Sequence, residues 1–151
     1  MTDSLPDPLS ALIQEAMAGY AADPARGDFL LDYACTQATD PLPLYRVLYK
    51  FHNRQRQFGH ARDFAARALA EAIRQAGLCG TPETWTAIDL AGLDPLLASQ
   101  ILLALKAQAF LALRADDEAG AAAPLTALRR LDPEDGSGVS VVEALAESVR
   151  A

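Results

Sequence analysis

The chain has 151 residues, carries 13 Lys and Arg against 20 Asp and Glu for a formal net charge of -7, and is 51% hydrophobic. This length is enough for one core without disulfide or metal support, so we predict a single domain over residues 1–151. Much of the hydrophobic content is Ala, a strong helix former, while Val, Ile and Thr are too sparse for a sheet, which excludes β-rich classes and predicts an all-α fold.

Cysteine usage and the N-terminal sequence predict a cytoplasmic protein. Cys35 and Cys79 are far apart and do not resemble the dense framework of a secreted disulfide domain, so both are expected to be reduced, buried thiols. The stretch MTDSLPDPLSALIQEAM is acidic and lacks the basic start and unbroken apolar run of a signal peptide. Because no run approaches about 18 uncharged apolar residues, we expect a soluble protein with no membrane partner.

The first predicted element is a hairpin over about residues 8–38. Apolar residues at helical spacing run through DPLSALIQEAMAGYAADP, with Asp7 as a cap before Pro8. A shorter helix is predicted in GDFLLDYACTQATDP, after the turn that contains Gly27 and before Pro41. The residues expected to pack from this second helix are Phe29, Leu30, Tyr33 and Ala34.

A second hairpin is predicted over about residues 43–77, a stretch that includes LYRVLYKFHNRQRQFGHARDFAARAL. Phe58 and Gly59 interrupt the helical spacing, and Gly77 is a typical helix terminator. This pattern indicates a helix, a tight turn and a second helix. The apolar stripe of the first helix is Leu44, Tyr45, Leu48, Phe51 and His52, and that of the second is Ala61, Phe64, Ala65, Ala68, Leu69 and Ile73.

The rest of the chain predicts a short helix, a third hairpin and a closing helix. Gly and Pro bracket about ten residues after Thr81, which is expected to cap a short helix there. The third hairpin, over about residues 95–131, starts with a run that is apolar almost all round and therefore predicts a central helix. Pro124 is expected to kink the second helix of this hairpin or to delay its start. The closing helix is predicted over about residues 139–150, which gives about six to seven helices in all.

Two stretches resemble tetratricopeptide repeats (TPR), helical hairpins of about 34 residues in which small residues let paired helices pack closely. In the second hairpin, Tyr45 and Leu48 stand at the large apolar sites. Phe58 stands at the aromatic site of the turn, and Ala61 and Ala68 at small-residue sites. The stretch ALKAQAFLALRADDEA, followed by ALRRLDP, is similar to the later part of a repeat and its exit, and about 24 residues are inserted between the two matches. The resemblance implies a short TPR-like α-solenoid of stacked antiparallel hairpins.

Positive charge is concentrated on the second predicted hairpin. Residues 42–79 hold seven Lys and Arg against two acids, whereas the remainder of the chain holds six against eighteen. The TPR resemblance implies that the first helix of such a hairpin lines a concave groove for an extended peptide. The residues that share one face of this helix, at i, i+4, i+7 and i+8, are Arg46, Lys50, Asn53 and Arg54.

These observations predict a non-catalytic adaptor or assembly chaperone that binds an acidic segment or chain terminus of a partner protein through this basic face. Exposed ion pairs contribute only about 0–1 kcal/mol each, so affinity requires apolar anchors beside the charges. The candidate anchors are Tyr45, Tyr49 and Phe51. In an alternative interpretation the charges are solvated or paired internally, and the acids named for such pairing are Glu15, Asp28 and Asp32.

Other function classes find less support in the sequence. No glycine-rich phosphate loop, nucleophile elbow or recognisable Cys/His motif occurs, so no enzyme activity and no cofactor are expected. His52 and His60 can approach one another across the turn, but no close ligand pair indicates a metal site, and both are interpreted as polar members of the hairpin. The alternative function is a nucleic-acid-binding regulator that uses the same basic face with Arg62 and Arg67, although the acidic remainder of the chain would repel a long polyanion. Self-association through leftover apolar faces is a third alternative.

Overall fold

The computed structural model describes residues 7–135 and 141–142, and every regular element among them is helical. This confirms the all-α prediction. The α-helices are α1 (Asp7–Ala18), α2 (Pro24–Gln37), α3 (Leu42–Arg54), α4 (Phe58–Ala76), α5 (Ala87–Ala91), α6 (Pro95–Arg114) and α7 (Glu118–Leu131), and a 3-10 turn spans Pro82–Thr84. The closing helix predicted over residues 139–150 lies outside the described residues except for Val141 and Val142, which are helical.

Consecutive helices pair as hairpins: α1 packs against α2, α3 against α4, and α6 against α7. The second and third hairpins meet where α4 packs against α6. α4 presents small side chains to its neighbours, since Ala61, Ala65, Ala68 and Ala72 are all buried. Such residues allow helix axes to approach closely, because the distance between two packed helices depends on the side chains at their contact.

The α6 helix lies at the centre of the described structure, as its nearly all-round apolar sequence predicts. It packs against α4, α5 and α7, and Ile101, Ala104 and Leu105 are buried along it. An 18-residue window of mean hydropathy 1.7 also makes α6 long and apolar enough to cross a membrane by length and composition alone. A core helix of a folded domain meets the same criterion. In the described structure 39% of this window is buried, and α6 packs mainly against α4 and α7.

The α2 helix begins before Gly27, earlier than the sequence predicts. Asp23 caps it, because its carboxylate accepts a hydrogen bond from the Arg26 amide at 3.1 Å, and Pro24 occupies the first helical position. Gly27 is therefore a buried residue within a helix and does not form the expected turn.

The prediction that Phe29 and Tyr33 pack in the core is wrong, since these side chains are 70% and 50% exposed. The buried face of α2 is formed by Gly27, Leu31 and Ala34, at i, i+4 and i+7. A Cβ atom at Gly27 would lie 2.5 Å from the ring of Tyr20, so the lack of a side chain lets this side of α2 lie close to the end of α1.

The segment between α4 and α6 does not form the single helix expected after Thr81. Thr81 precedes the 3-10 turn, and α5 starts after a second cap, Thr86, whose backbone amide donates to the Asp89 carboxylate at 2.8 Å. Trp85 lies between these two elements. It is only 3% exposed, and its indole Nε1 donates to the Cys79 carbonyl at 2.7 Å. The backbone of Trp85 is extended, and this residue separates the 3-10 turn from α5.

Pro124 lies inside α7 without delaying the start of that helix. The first turn of α7 is stabilised by Asp117, whose carboxylate accepts a hydrogen bond from the Gly120 amide at 2.9 Å. This cap fixes the helix start several residues before the proline.

Both cysteines are free thiols, and only one is shielded from solvent. Cys35 is half-buried on α2, and this burial raises the pKa of its thiol to about 11. Cys79 is exposed, so the prediction that it is buried is wrong. It follows α4 at the surface, and its backbone carbonyl accepts the hydrogen bond of the Trp85 indole.

Candidate functional site

A cleft of about 330 Å³ lies between α3 and α6, the first helices of the second and third hairpins. Four of the five residues predicted to bind a partner line it, and all four come from α3: Arg46, Tyr49, Lys50 and Asn53. The wall contributed by α6 is Leu103, Lys106, Ala107, Phe110 and Leu111. We call this feature the basic cleft.

Helical periodicity explains why these residues share the basic cleft. The α3 residues follow one another at i, i+3, i+4 and i+7, and the α6 residues at i, i+3, i+4, i+7 and i+8. Residues at such spacing lie on one face of a helix. Each helix therefore turns one complete face towards the space between them.

The fifth predicted residue, Arg54, is exposed at the end of α3 and does not line the basic cleft. It follows Asn53, and a rotation of about 100° per residue turns its side chain away from that of its neighbour. The i, i+8 spacing places Arg46 and Arg54 on one broad face of α3. Only a narrower strip of that face lies towards α6, and Arg54 is outside this strip.

Two polar atoms of the basic cleft are buried without a hydrogen-bond partner: Arg46 Nε, a donor, and Asn53 Oδ1, an acceptor. Buried polar groups in proteins are nearly always hydrogen-bonded, and leaving one unpaired costs about 1–3 kcal/mol. Both atoms are closed off from solvent, so a bound molecule reaches them only if the Arg46 and Asn53 side chains turn towards the cleft.

The cations of the basic cleft are not neutralised by the described part of the chain. Arg46, Lys50 and Lys106 form no ion pair with a carboxylate in residues 7–135 or 141–142. Glu15, named as an internal partner in the alternative interpretation, pairs with Arg26 at 3.1 Å. The other acids named there, Asp28 and Asp32, line a separate pocket. These cations therefore lack a carboxylate partner among the described residues, while Arg46 interacts with the phenol of Tyr49.

Tyr49 is the one candidate aromatic anchor that lines the basic cleft. Its ring is almost fully buried, and this burial raises the pKa of its phenol, while the charge of Arg46 and a hydrogen bond from Arg46 partly oppose the increase. Phe51 packs in the core, edge-on to the ring of Tyr20 at 5.2 Å. Tyr45 is half-buried on another side of α3. A neutral phenol at the cleft wall combines an apolar ring with a polar tip.

The α6 wall is the part of the site that the sequence analysis did not identify. The sequence feature that points to this wall is Lys106, the only charged residue in the run from Pro95 to Leu113. Beyond it, the guanidinium of Arg114 lies 5.0 Å from the ring centre of Phe58 and 5.9 Å from that of Phe110. These cation–π contacts hold one end of α6 against the turn of the second hairpin.

A second polar cluster surrounds His52 in the core of the second hairpin. His52 is 1% exposed, and its ring stacks on Phe64 with ring centres 5.6 Å apart. Its Nδ1 lies 2.8 Å from Gln57 Oε1, and the ring of His60 is 5.0 Å away. His60 Nε2 in turn lies 3.5 Å from a carboxylate oxygen of Asp28. His52 is thus a buried histidine whose polar atoms face other polar groups.

This burial predicts a stability that depends on pH. Burial lowers the pKa of His52, an effect that His60 reinforces and that Gln57, Asp28 and Asp32 oppose. The unfolded chain, with an ordinary His pKa of about 6.5, then binds more protons than the folded chain below neutral pH. The contribution of His52 to the free energy of unfolding is therefore complete above about pH 6.5. It is lost as the pH falls from there towards the pKa of His52 in the folded chain.

We expect urea denaturation to show a smaller loss of stability between about pH 7.5 and pH 5.5 for His52→Phe than for the wild type. The difference cannot exceed about 1.4 kcal/mol per pH unit, the limit for one proton. His60→Gln, at a half-exposed position, serves as the control and should keep most of the wild-type slope. Equal slopes for His52→Phe and the wild type would contradict the interpretation.

The basic cleft combines three cations that lack ion-pair partners among the described residues, a buried donor and acceptor without partners, and an apolar wall. Such a surface suits an anionic ligand that also carries apolar groups. No family model, no curated protein and no solved structure matches this chain.

Proposed function

We propose that this chain is a non-catalytic, cytoplasmic adaptor or assembly chaperone with a TPR-like arrangement of hairpins, and that it binds an acidic segment or chain terminus of a partner protein in the basic cleft. The observation that carries this proposal is the presence of Arg46, Lys50 and Lys106 in one cleft without ion-pair partners among the described residues. Carboxylates of a peptide would pair with these cations. Its backbone would pair with the buried polar atoms of Arg46 and Asn53 once these side chains turn towards the cleft.

The position of the basic cleft supports the TPR-like arrangement. The cleft lies between the first helices of consecutive hairpins, α3 and α6, which is where the resemblance places a peptide groove. The segment 78–94, which contains α5, forms the longer connection between these hairpins. It accounts for the extra residues between the two repeat-like stretches.

The apolar wall provides the part of the affinity that charge alone does not. Exposed ion pairs contribute about 0–1 kcal/mol each, whereas micromolar binding requires about 8 kcal/mol. Leu103, Ala107 and Phe110 are half-buried on the α6 side, so their apolar surface is available to a ligand. Covering it adds a hydrophobic contribution of about 25 cal/mol per Å². We therefore expect a peptide that is acidic but not exclusively so.

A protein segment suits this surface better than a nucleic acid does. The additional cations needed for a nucleic-acid interface are already engaged: Arg62 pairs with Asp117 at 2.8 Å, and Arg67 with Asp63 at 3.0 Å. A long polyanion would have to compete with these carboxylates and approach an acidic molecule. A short peptide contacts only the cleft.

Selection from a random peptide library displayed with free C-termini tests the proposal. We expect the purified chain to enrich peptides that are rich in Asp and Glu, with affinities in the micromolar range. Arg46→Glu/Lys50→Glu should weaken the selected peptides at least about tenfold, because two attractive charges become repulsive. Circular dichroism should show the same helix content in the variant.

Arg54→Glu is the matched control, since it reverses a charge on the same helix outside the basic cleft. It should change affinity by no more than about threefold, the size of a screened long-range effect. Enrichment of peptides without acidic residues would contradict the proposal. Equal weakening by Arg54→Glu would also contradict the proposal. If a short mixed-sequence oligonucleotide at equal concentration displaces the peptide, the nucleic-acid alternative is favoured.

A further inference from the structure

An apolar pocket of about 430 Å³ lies beside the basic cleft, where α5 meets the first half of α6. Its walls include Leu90 on α5, Leu93 in the connection and Leu102 on α6. Ser99 contributes the one polar side chain among its lining residues. We call this the aliphatic pocket, and nothing in the proposed function so far uses it.

The aliphatic pocket and the basic cleft meet at one residue of α6. Leu103 lines both of them. Along α6, Lys106 of the cleft lies about 6 Å from Leu102 and about 10 Å from Ser99, at 1.5 Å of rise per residue. An extended peptide advances about 3.3 Å per residue, so these distances correspond to two or three residues of a ligand.

Local hydrogen bonds hold the wall of the aliphatic pocket in place. Thr86 and Asp89 form a reciprocal cap at the start of α5, and Asp94 accepts a hydrogen bond from the Leu96 amide at 2.8 Å at the start of α6. The pocket is therefore formed before a ligand arrives, which lowers the ordering cost of binding. The same corner carries two strongly exposed apolar side chains, Ile88 at 82% and Leu96 at 67%.

We infer that the aliphatic pocket is a second subsite of the proposed peptide site, and that the partner segment places a Leu, Ile or Met side chain there, two or three residues from an acidic residue held in the basic cleft. This inference rests on the proposed function. The charge of the adjoining cleft identifies the occupant as an acidic protein segment, since the cations beside the pocket have no described ion-pair partner.

Fluorescence anisotropy with labelled synthetic peptides tests the subsite. The first probe is a short Gly/Ser peptide with an Asp-Glu pair, one apolar residue next to the pair for the α6 wall of the basic cleft, and a Leu at the second or third position beyond the pair, prepared in both chain directions. In the second probe Ser replaces Leu. We expect the better direction of the Leu probe to bind about tenfold more tightly than its Ser counterpart, because the Leu side chain leaves water.

Ser99→Gln places a neutral polar side chain at the mouth of the aliphatic pocket, on an exposed position of a helix. It should remove the advantage of the Leu probe and leave the Ser probe unchanged. Leu102→Gln is a second variant with the same expectation. Thr126→Gln, at an exposed position of α7 outside both sites, is the matched control and should change neither affinity.

The outcomes separate the subsite from the proposed function. If the Ser probe binds and Arg46→Glu/Lys50→Glu abolishes its binding, but Leu adds nothing in either direction, the subsite is rejected and the proposed function stands. If neither probe binds, both are rejected. If sedimentation shows a dimer of the free chain that Ser99→Gln dissociates, the pocket is an interface between copies and the inference is overturned.

Discussion

Trp85→Ala is expected to lower the free energy of unfolding by about 3–5 kcal/mol, the range for removing a large buried aromatic side chain. Trp85 belongs to the main core although it lies in a connection between helices. Its indole donates to the Cys79 carbonyl, and its own carbonyl accepts a hydrogen bond from Arg130 Nε at 2.9 Å. Arg130 also donates to the Pro82 carbonyl, so one side chain of α7 holds both ends of the 3-10 turn. Removing the indole ring leaves these hydrogen-bonded backbone groups beside a cavity.

Urea denaturation followed by circular dichroism measures the effect, because the chain has a single Trp and the variant loses its fluorescence. Trp85→Phe is the control. It keeps most of the buried area but loses the indole donor, so we expect a loss of about 1–2 kcal/mol from the unpaired carbonyl and the smaller ring. A loss below about 1 kcal/mol for Trp85→Ala would show that the connection is not anchored by this side chain.

Trp85→Ala should also affect the proposed ligand contacts unequally. Trp85 directly precedes the cap of α5, and α5 forms one wall of the aliphatic pocket. The basic cleft is built from α3 and α6 and does not include this segment. The variant should therefore reduce the advantage of a Leu-containing acidic peptide while the acidic peptide without Leu keeps its affinity.

Gly27→Ala is expected to destabilise the chain by about 1–2 kcal/mol, although Ala is the better helix former. A Cβ atom at this position would lie 2.5 Å from Tyr20 Cδ1. The ring of Tyr20 cannot move aside freely, since it is buried, packs against Phe51 and donates from its hydroxyl to Asp28 at 2.8 Å. Overpacking of this kind costs about 1–3 kcal/mol, which exceeds the gain of about 1 kcal/mol from helix propensity.

The same substitution at Gly59 is the matched control. Gly59 lies near the start of α4, and a Cβ atom there would meet nothing within 4 Å. We expect Gly59→Ala to leave stability unchanged or to raise it by up to about 1 kcal/mol. The denaturant midpoint of Gly27→Ala should therefore fall, whereas that of Gly59→Ala should rise or stay the same. Stabilisation by Gly27→Ala would contradict the close contact between α1 and α2.

The starts and ends of several helices follow from local chemistry that the sequence displays. The helix spacing of Leu44, Leu48 and Phe51 predicts their burial, and Gly77 ends α4 in the left-handed conformation that glycine favours. The same spacing predicts that Arg46 and Lys50 share a face of α3. These predictions need only the 3.6-residue period and the preferences of a few residues, which act over one or two turns.

Which helix covers a given face was decided by the tertiary structure. Gly27 is buried against the ring of Tyr20, whereas Phe29 on the same helix is exposed. The second wall of the basic cleft comes from Lys106 and its neighbours on α6, more than a hairpin away in the chain. A sequence pattern shows that a face is apolar or charged, because that information is local. It does not show which helix packs against that face, because contacts between distant helices depend on how all the side chains fill space together.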